Sequence, residues 1–270
     1  MLRKKFFITS LLCLALACFF TACSPKQRSE HEIIIGTIAG PETHLVETAK
    51  KVAEQRYGLK LTIVTFEDYI VPNTALAEGD IDANMFQHQP YLDVVLAKKG
   101  YKLIPIGTMF IYPMGVYSKK YKHLTDLPNG AKIGIPNDPS NAARALRLLA
   151  KAKLITIPKV NDLQLSPRLI QHNPKNLVIK EIPAAQLARV LPDLDAAVIN
   201  TNYAIPAGLQ QRDALFLEDK SSPYANIVVI RTEEKDQKKY QDLMAALHSP
   251  EVLEKAKKLF ADQAIPAWQQ

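Results

Sequence analysis

Hydrophobic and polar residues follow two different periods along the chain, and the pattern predicts strands interleaved with helices. Residues 33–35 are Ile-Ile-Ile, a continuous apolar run typical of a strand covered on both faces. From Pro41 to Gly58 the apolar residues recur every three or four positions instead, which predicts a helix. The proline suits its first turn and the glycine suits its stop. This stretch therefore indicates an α/β fold.

The alternation continues to the end of the chain and falls into two sets. The further predicted strands lie at 59–66, 81–86, 131–136, 177–182 and 196–200, and the further predicted helices at 90–99, 141–154, 184–191, 234–247 and 252–264. Strands separated by helices favour parallel sheets. Two such sets predict two lobes with a ligand cleft between them. We expect one lobe from residues 32–113 plus 227–270, onto which the final helices pack, and a second lobe from residues 114–226.

The first 22 residues have the pattern of an export signal. Three basic residues at 3–5 precede an apolar stretch at 6–20, which is too short for a membrane-spanning helix. Small residues then lead into Cys23, as in the lipobox of bacterial lipoproteins, where the cysteine carries the lipid. Cleavage before Cys23 is therefore expected. The alternative is an ordinary signal peptide cut near Ala22.

Composition limits what the mature chain can do. Loss of residues 1–22 leaves 248 residues and makes Cys23 the only cysteine, so an internal disulfide and a cysteine-based metal site are excluded. The polar segment 23–31 is expected to be a tether. The formal charge falls from +7 to +4, and the basic residues are scattered among acids, which argues against nucleic-acid binding. We expect a protein anchored by lipid in the cell envelope, facing the periplasm or the cell exterior.

Polar and aromatic residues cluster where the predicted strands end. The clusters lie at 66–73, 80–91, 137–144, 200–204 and 222–226. Ligands of open parallel sheets bind beyond the carboxyl ends of the strands. The sequence therefore predicts that these five segments form the binding site.

Residues 79–91 and 137–144 resemble the methionine-binding lipoproteins of ABC importers, the MetQ/NlpA family, and the resemblance covers essentially the whole chain. It implies the two-lobed periplasmic binding protein fold (type 2). It also implies capture of methionine between the lobes and delivery to a membrane permease. By position, the implied side-chain pocket consists of Tyr69, Phe86, His88 and Tyr91, and the implied carboxylate and ammonium site consists of Asn141, Arg144, Asn202 and Asn226. Ala142 and Ala143 stand where many relatives have a glycine, and position 202 varies between Asn and Thr.

The chemistry of these side chains suits an amino acid. Arginine can grip a carboxylate through two parallel hydrogen bonds. Arg144 is predicted in the first turn of a helix capped by Ser140, where the helix end also attracts an anion. A surface ion pair is the alternative for Arg144. Each asparagine offers a donor and an acceptor, although turns and caps also use asparagine. Sulfur against an aromatic edge contributes about 0.3–1.5 kcal/mol, although aromatic residues are often plain core.

Other functions lack support in the sequence. The six histidines are far apart, so a metal site is not expected, and His88 is a candidate pocket wall rather than a metal ligand. A Gly-x-Ser-x-Gly elbow of hydrolases is absent, and no cofactor or enzymatic activity is expected. A surface adhesin would need no pocket. The open alternatives for the ligand are another small apolar amino acid and a methionine-containing dipeptide.

Overall fold

Two mixed β-sheets organise the chain in the computed structural model, which describes residues 29–219, 221–260 and 263–269. The predicted signal peptide and Cys23 lie outside the described residues, as does most of the predicted tether. Within the described ranges, no helix is long and apolar enough to cross a membrane.

Every strand and helix that the sequence predicts is present, but the strands Leu103–Ile111 and Ala225–Arg231 were not predicted. The strands are β1 (Glu32–Ile38), β2 (Lys60–Phe66), β3 (Ala83–His88), β4 (Leu103–Ile111), β5 (Gly115–Tyr117), β6 (Lys132–Pro136), β7 (Val178–Ile182), β8 (Ala196–Ile199), β9 (Phe216–Leu217), β10 (Ala225–Arg231) and β11 (Ile265–Pro266). The α-helices are α1 (Pro41–Tyr57), α2 (Pro72–Ala77), α3 (Gln89–Lys99), α4 (Pro139–Lys151), α5 (Ala184–Val190), α6 (Thr201–Ala204), α7 (Lys238–Leu247) and α8 (Pro250–Phe260). Short 3-10 helices cover Leu124–Asp126, Pro167–Leu169, Leu191–Asp193, Gln211–Asp213, Thr232–Glu234 and Ala267–Gln269.

Helix α1 shows how local sequence sets an element. Pro41 occupies its first turn, and Gly58 ends it in a left-handed conformation at φ 61°, which glycine adopts without steric cost. Its apolar stripe, which includes Leu45 and Ala49, is fully buried. This stripe packs in the core of the first sheet, and α7 and α8 contact the same helix. The predicted packing of the final helices on the first sheet is confirmed.

The first sheet has the strand order β11-β4-β10-β3-β1-β2. Strand β1 pairs in parallel with β2 and β3, as predicted. Strand β10 instead runs antiparallel to both β3 and β4, so the expectation of purely parallel sheets is wrong. The chain returns from the second sheet at the edge where β3 ends, so β10 starts there and runs the opposite way. Asn226 on β10 consequently lies opposite His88 on β3.

The second sheet has the order β7-β6-β8-β5-β9. Strand β6 pairs in parallel with β7 and β8, whereas β5 runs antiparallel to β8 and β9. The chain passes between the two sheets twice, at residues 112–114 and at residues 218–224. We call these segments the first link and the second link. The predicted lobe limits, 113/114 and 226/227, fall in or beside them and stay a prediction.

Candidate functional site

One cavity lies between the two sheets and brings the predicted site residues together. It has a volume of about 390 Å³, open space at its mouth included. Its lining includes all eight predicted ligand-binding residues, namely Tyr69, Phe86, His88, Tyr91, Asn141, Arg144, Asn202 and Asn226. The sequence did not single out five further lining residues, which are Gln87, Tyr112, Asn200, Thr201 and Tyr224. Gln87, Asn200, Thr201 and Tyr224 belong to the segments that were predicted to form the site, and Tyr112 does not.

Aromatic rings form one wall of the cavity. Tyr69, Phe86 and Tyr91 have ring centroids 5.9 Å apart in every pairing, with tilted or edge-on planes. The Tyr91 hydroxyl donates to the Tyr69 carbonyl at 2.8 Å and holds the two chain segments together. Tyr203 adds a fourth ring, 5.1 Å from Tyr69. Tyr69, Phe86 and Tyr91 line the cavity and so belong to the site, whereas Tyr203 packs on Tyr69 and is not among the lining residues.

His88 lines the cavity as a neutral side chain whose two ring nitrogens are both hydrogen-bonded. Burial, with Arg144 nearby, lowers its pKa to about 3, so the ring is uncharged at neutral pH. Its Nδ1 accepts from the Tyr91 backbone N–H at 3.3 Å, which places the proton on Nε2. Nε2 then donates to Asn141 Oδ1 at 3.3 Å. Both nitrogens are engaged, and the described residues contain no group of three or more His, Cys, Asp or Glu placed to hold a metal ion.

The helix that carries Arg144 starts earlier than the sequence indicates. Helix α4 begins at Pro139 and is capped by Asp138, whose side chain accepts from the Asn141 N–H at 2.9 Å. The predicted cap at Ser140 is therefore wrong. The correct cap follows the common rule of proline at the first helical position. Arg144 consequently lies in the second turn, and its placement in the first turn was also wrong.

Asn141 is held by protein groups at both ends of its amide. Its Nδ2 donates to the Asp138 carboxylate at 3.0 Å, and its Oδ1 accepts from Asn200 Nδ2 at 2.9 Å. Burial raises the pKa of Asp138, which these hydrogen bonds oppose. The amide of Asn141 therefore stiffens the cavity floor by joining α4 to the end of β8.

Arg144 is buried and already paired with an acid. Its Nε donates to Glu218 Oε1 at 3.0 Å, and its Nη2 donates to Glu218 Oε2 at 2.5 Å and to the Tyr112 carbonyl at 3.0 Å. The guanidinium also lies over the Tyr224 ring, 4.6 Å from its centroid. The sequence offered a ligand contact and an ion pair as alternatives, but the geometry allows both. Within the described residues Nη1 has no protein acceptor, so a ligand can use Nη1 but not the edge occupied by Glu218.

Several buried polar atoms near the cavity lack a protein partner. Among the described residues these include Asn202 Nδ2 and Asn200 Oδ1. The Tyr69 hydroxyl donates to Asn202 Oδ1 at 2.7 Å and so leaves Nδ2 as the free donor. Asn200 uses its Nδ2 on Asn141, which leaves Oδ1 as a free acceptor. Buried polar groups are normally paired, so these atoms are available to a polar molecule that both accepts and donates hydrogen bonds.

Glu42, in the first turn of α1, lies behind this polar region. Its side chain is buried, and Oε1 accepts from Asn226 Nδ2 at 2.8 Å. That bond leaves Asn226 Oδ1 available to the cavity. Burial raises the pKa of Glu42 to about 7, against hydrogen bonding from Asn226. No feature of the sequence pointed to Glu42, because acids in the first turn of a helix usually lie on the surface.

Comparisons with known proteins agree with the fold. The sequence model of the NlpA lipoprotein family matches residues 33–268. The D-methionine-binding lipoprotein MetQ of Escherichia coli (strain K12) is 45% identical over 249 residues, which cover 91% of this chain and 92% of that protein. The match extends over nearly the full length of both proteins, so it concerns the two-sheet arrangement as a whole.

Two solved structures are similar in both sequence and shape. An ABC transporter periplasmic substrate-binding protein from Coxiella burnetii is 56% identical with a TM-score of 0.84, over 87% of this chain and 100% of that one. A nutrient binding protein from Burkholderia cenocepacia, solved bound to methionine, is 48% identical with a TM-score of 0.85, over 87% of this chain and 99% of that one. The two-lobed α/β fold expected from the sequence is confirmed.

Proposed function

Because the chain belongs to the NlpA lipoprotein family, we propose that it is the substrate-binding lipoprotein of an ABC importer and captures methionine between its lobes. One observation carries the proposal. The same cavity joins an aromatic wall to buried donors and acceptors that suit a zwitterion. A similar protein is named a D-methionine-binding lipoprotein and another a periplasmic substrate-binding protein, which supports a binding role for this cavity.

The polar end of the cavity supports an amino-acid head group. Arg144 Nη1 and Asn202 Nδ2 are donors that can hold the ligand carboxylate. The side-chain oxygens Asn200 Oδ1 and Asn226 Oδ1 are acceptors that can hold the ligand ammonium. Arg144 and Glu218 cancel each other's charge, and His88 is neutral. A ligand with no net charge therefore enters this site at the lowest electrostatic cost.

The apolar end supports a thioether side chain. Tyr69, Phe86 and Tyr91 present ring edges and faces around one space. Sulfur–aromatic contacts of about 0.3–1.5 kcal/mol each favour methionine over an aliphatic chain of the same length. The preference over another small apolar amino acid is finite, because shape separates such ligands by only about 1–3 kcal/mol. A methionine-containing dipeptide remains the second candidate, favoured only by the open mouth of the cavity.

The proposal includes the route of the ligand. Lipid attachment at Cys23 would hold the protein at a membrane in the cell envelope, and the captured methionine would pass to a membrane permease. The predicted limits of the two lobes, 32–113 plus 227–270 and 114–226, belong to this proposal. Closure of the lobes would remove the ligand from water during transfer.

Calorimetric titration of the purified protein with single ligands tests the proposal. Methionine should bind more tightly than leucine, and much more tightly than glutamine, whose amide would face the aromatic rings without a partner. Phe86→Leu should reduce the difference between the dissociation constants of methionine and leucine, because it removes one aromatic ring that can contact the sulfur. Phe66→Leu, which changes a partly buried ring on β2 that packs against the core and does not line the cavity, is the matched control. Tighter binding of glutamine or of a divalent metal ion would refute methionine capture.

A further inference from the structure

We propose that Glu218 is a positioning residue that joins the ligand-binding guanidinium of Arg144 to both links between the lobes. The two links are the points about which the lobes must move. A residue that connects both links to the binding site couples ligand binding to a change in the arrangement of the lobes. The identity of the ligand in this inference rests on the proposed function. The contacts of Glu218 described below are independent of that function.

The contacts form a closed ring through both links. Arg144 Nη2 donates to the Tyr112 carbonyl on the first link at 3.0 Å, and its Nε and Nη2 donate to Glu218 at the start of the second link. The Glu218 carboxylate also accepts from the Met114 N–H at 3.1 Å. The Glu218 N–H in turn donates to the Met114 carbonyl at 2.9 Å. One ion pair therefore fixes the two links against each other.

The remaining residue of the first link is held as well. The Pro113 carbonyl accepts from the Thr201 hydroxyl at 2.6 Å and from Gln211 Nε2 at 3.4 Å. Thr201 itself lines the cavity. Every residue from 112 to 114 thus has a backbone group tied to the second lobe or the second link. A rotation of the links must break these hydrogen bonds or carry Arg144 with it.

Burial makes the ion pair hard to replace by water. The side chains of Arg144 and Glu218 are 5% and 12% exposed. Loss of one partner would leave the other charge buried and unpaired. Because Glu218 holds the Nε and Nη2 edge, Nη1 is the nitrogen left for a ligand in the cavity that Arg144 lines. A ligand carboxylate that binds Nη1 contacts a guanidinium that is already hydrogen-bonded to both links. Ligand binding is therefore coupled to the movement of the lobes.

Glu218→Gln tests this role, because glutamine keeps the size and one acceptor but removes the charge. Methionine should dissociate about tenfold faster or more, as expected for a lost charged hydrogen bond. The change in radius of gyration on adding methionine, measured by small-angle X-ray scattering, should shrink. The ligand-free variant should also have a larger radius than the wild type. Glu218→Asp, which keeps the charge, should recover part of each effect.

Glu234→Gln is the matched control. Glu234 accepts from the Arg231 guanidinium at 3.0 Å and from the Tyr240 hydroxyl, in a pair that is 13% and 19% exposed and lies at the end of β10 remote from the second link. This variant should lower the melting temperature but leave dissociation and radius unchanged. The inference would be overturned if Glu218→Gln had the methionine dissociation rate and radii of gyration of the wild type. It would also be overturned if both variants changed these quantities equally. If the wild type failed to bind methionine, the proposed function would fall, and the ligand-free radii would still decide the role of Glu218.

Discussion

The buried carboxyl group of Glu42 makes stability depend on pH, and Glu42→Gln should remove that dependence. Glu42 is 1% exposed, accepts from Asn226, and lies beside the Tyr112 hydroxyl. Its Oε2 has no hydrogen-bond partner among the described residues. Glutamine matches the shape of the protonated acid, and its amide N–H can donate to Tyr112 where the acid would use its O–H. The substitution therefore imitates the neutral form at every pH.

The magnitude follows from the pKa of Glu42. Burial raises it from 4.5 to about 7, so the folded protein binds more protons than the unfolded chain between those values. The stabilising effect of the protonated group is complete below about pH 4.5 and is lost as pH rises through about 7. At about 1.4 kcal/mol for each pH unit between the two pKa values, the loss above pH 7 is about 3 kcal/mol.

Urea denaturation at a series of pH values measures the effect. The difference in free energy of unfolding between Glu42→Gln and the wild type should be close to zero near pH 4.5. It should grow in favour of the variant to about 3 kcal/mol by pH 8. Other titrating groups contribute equally to both proteins and cancel in the difference. Glu54→Gln, which changes an exposed acid on the same helix, is the control for the loss of a surface carboxylate.

A constant difference across the pH range would refute the reasoning, because it would mean that Glu42 titrates alike in the folded and unfolded protein. A difference that grows with the opposite sign would mean that a cation stabilises the ionised carboxylate. Either result would mean that burial beside Asn226 does not keep the carboxyl group of Glu42 neutral.

Three further predictions concern the site and the anchor. Arg144→Ala should weaken methionine binding about 30-fold or more, because it removes one partner of a buried charge pair; Arg144→Lys should rescue only part. Calorimetry with methionine and its methyl ester checks this, and an equal ester penalty in wild type and Arg144→Ala would exclude Arg144 as the carboxylate contact. Tyr69→Phe should weaken binding about fivefold, because Asn202 loses the bond that orients its amide; an unchanged dissociation constant would contradict that role. Cys23→Ser should abolish fatty-acid labelling, and label retained in the variant would place the lipid elsewhere.

The sequence predicted the local elements and the chain segments of the site. Periodicity located β1, α1 and most other elements, because a strand or helix is set largely by neighbouring residues. It missed α2 and β5, of six and three residues, since such short elements show no period. It also missed the longer strands β4 and β10, of nine and seven residues, which are joined to predicted elements only through the sheet. Residues at the ends of β3 and β8 were expected in the site because parallel strands bring their carboxyl ends to one edge.

Only the tertiary structure decided how those residues are paired. Glu218 is 74 positions from Arg144, and Asn226 is 184 positions from Glu42. Nothing in local periodicity selects such partners, because they meet only when two lobes and two links fold together. The antiparallel course of β10 depends likewise on where the chain returns from the second sheet. The sequence therefore determined which residues reach the cavity, whereas long-range packing determined which of their polar atoms remain free for a ligand.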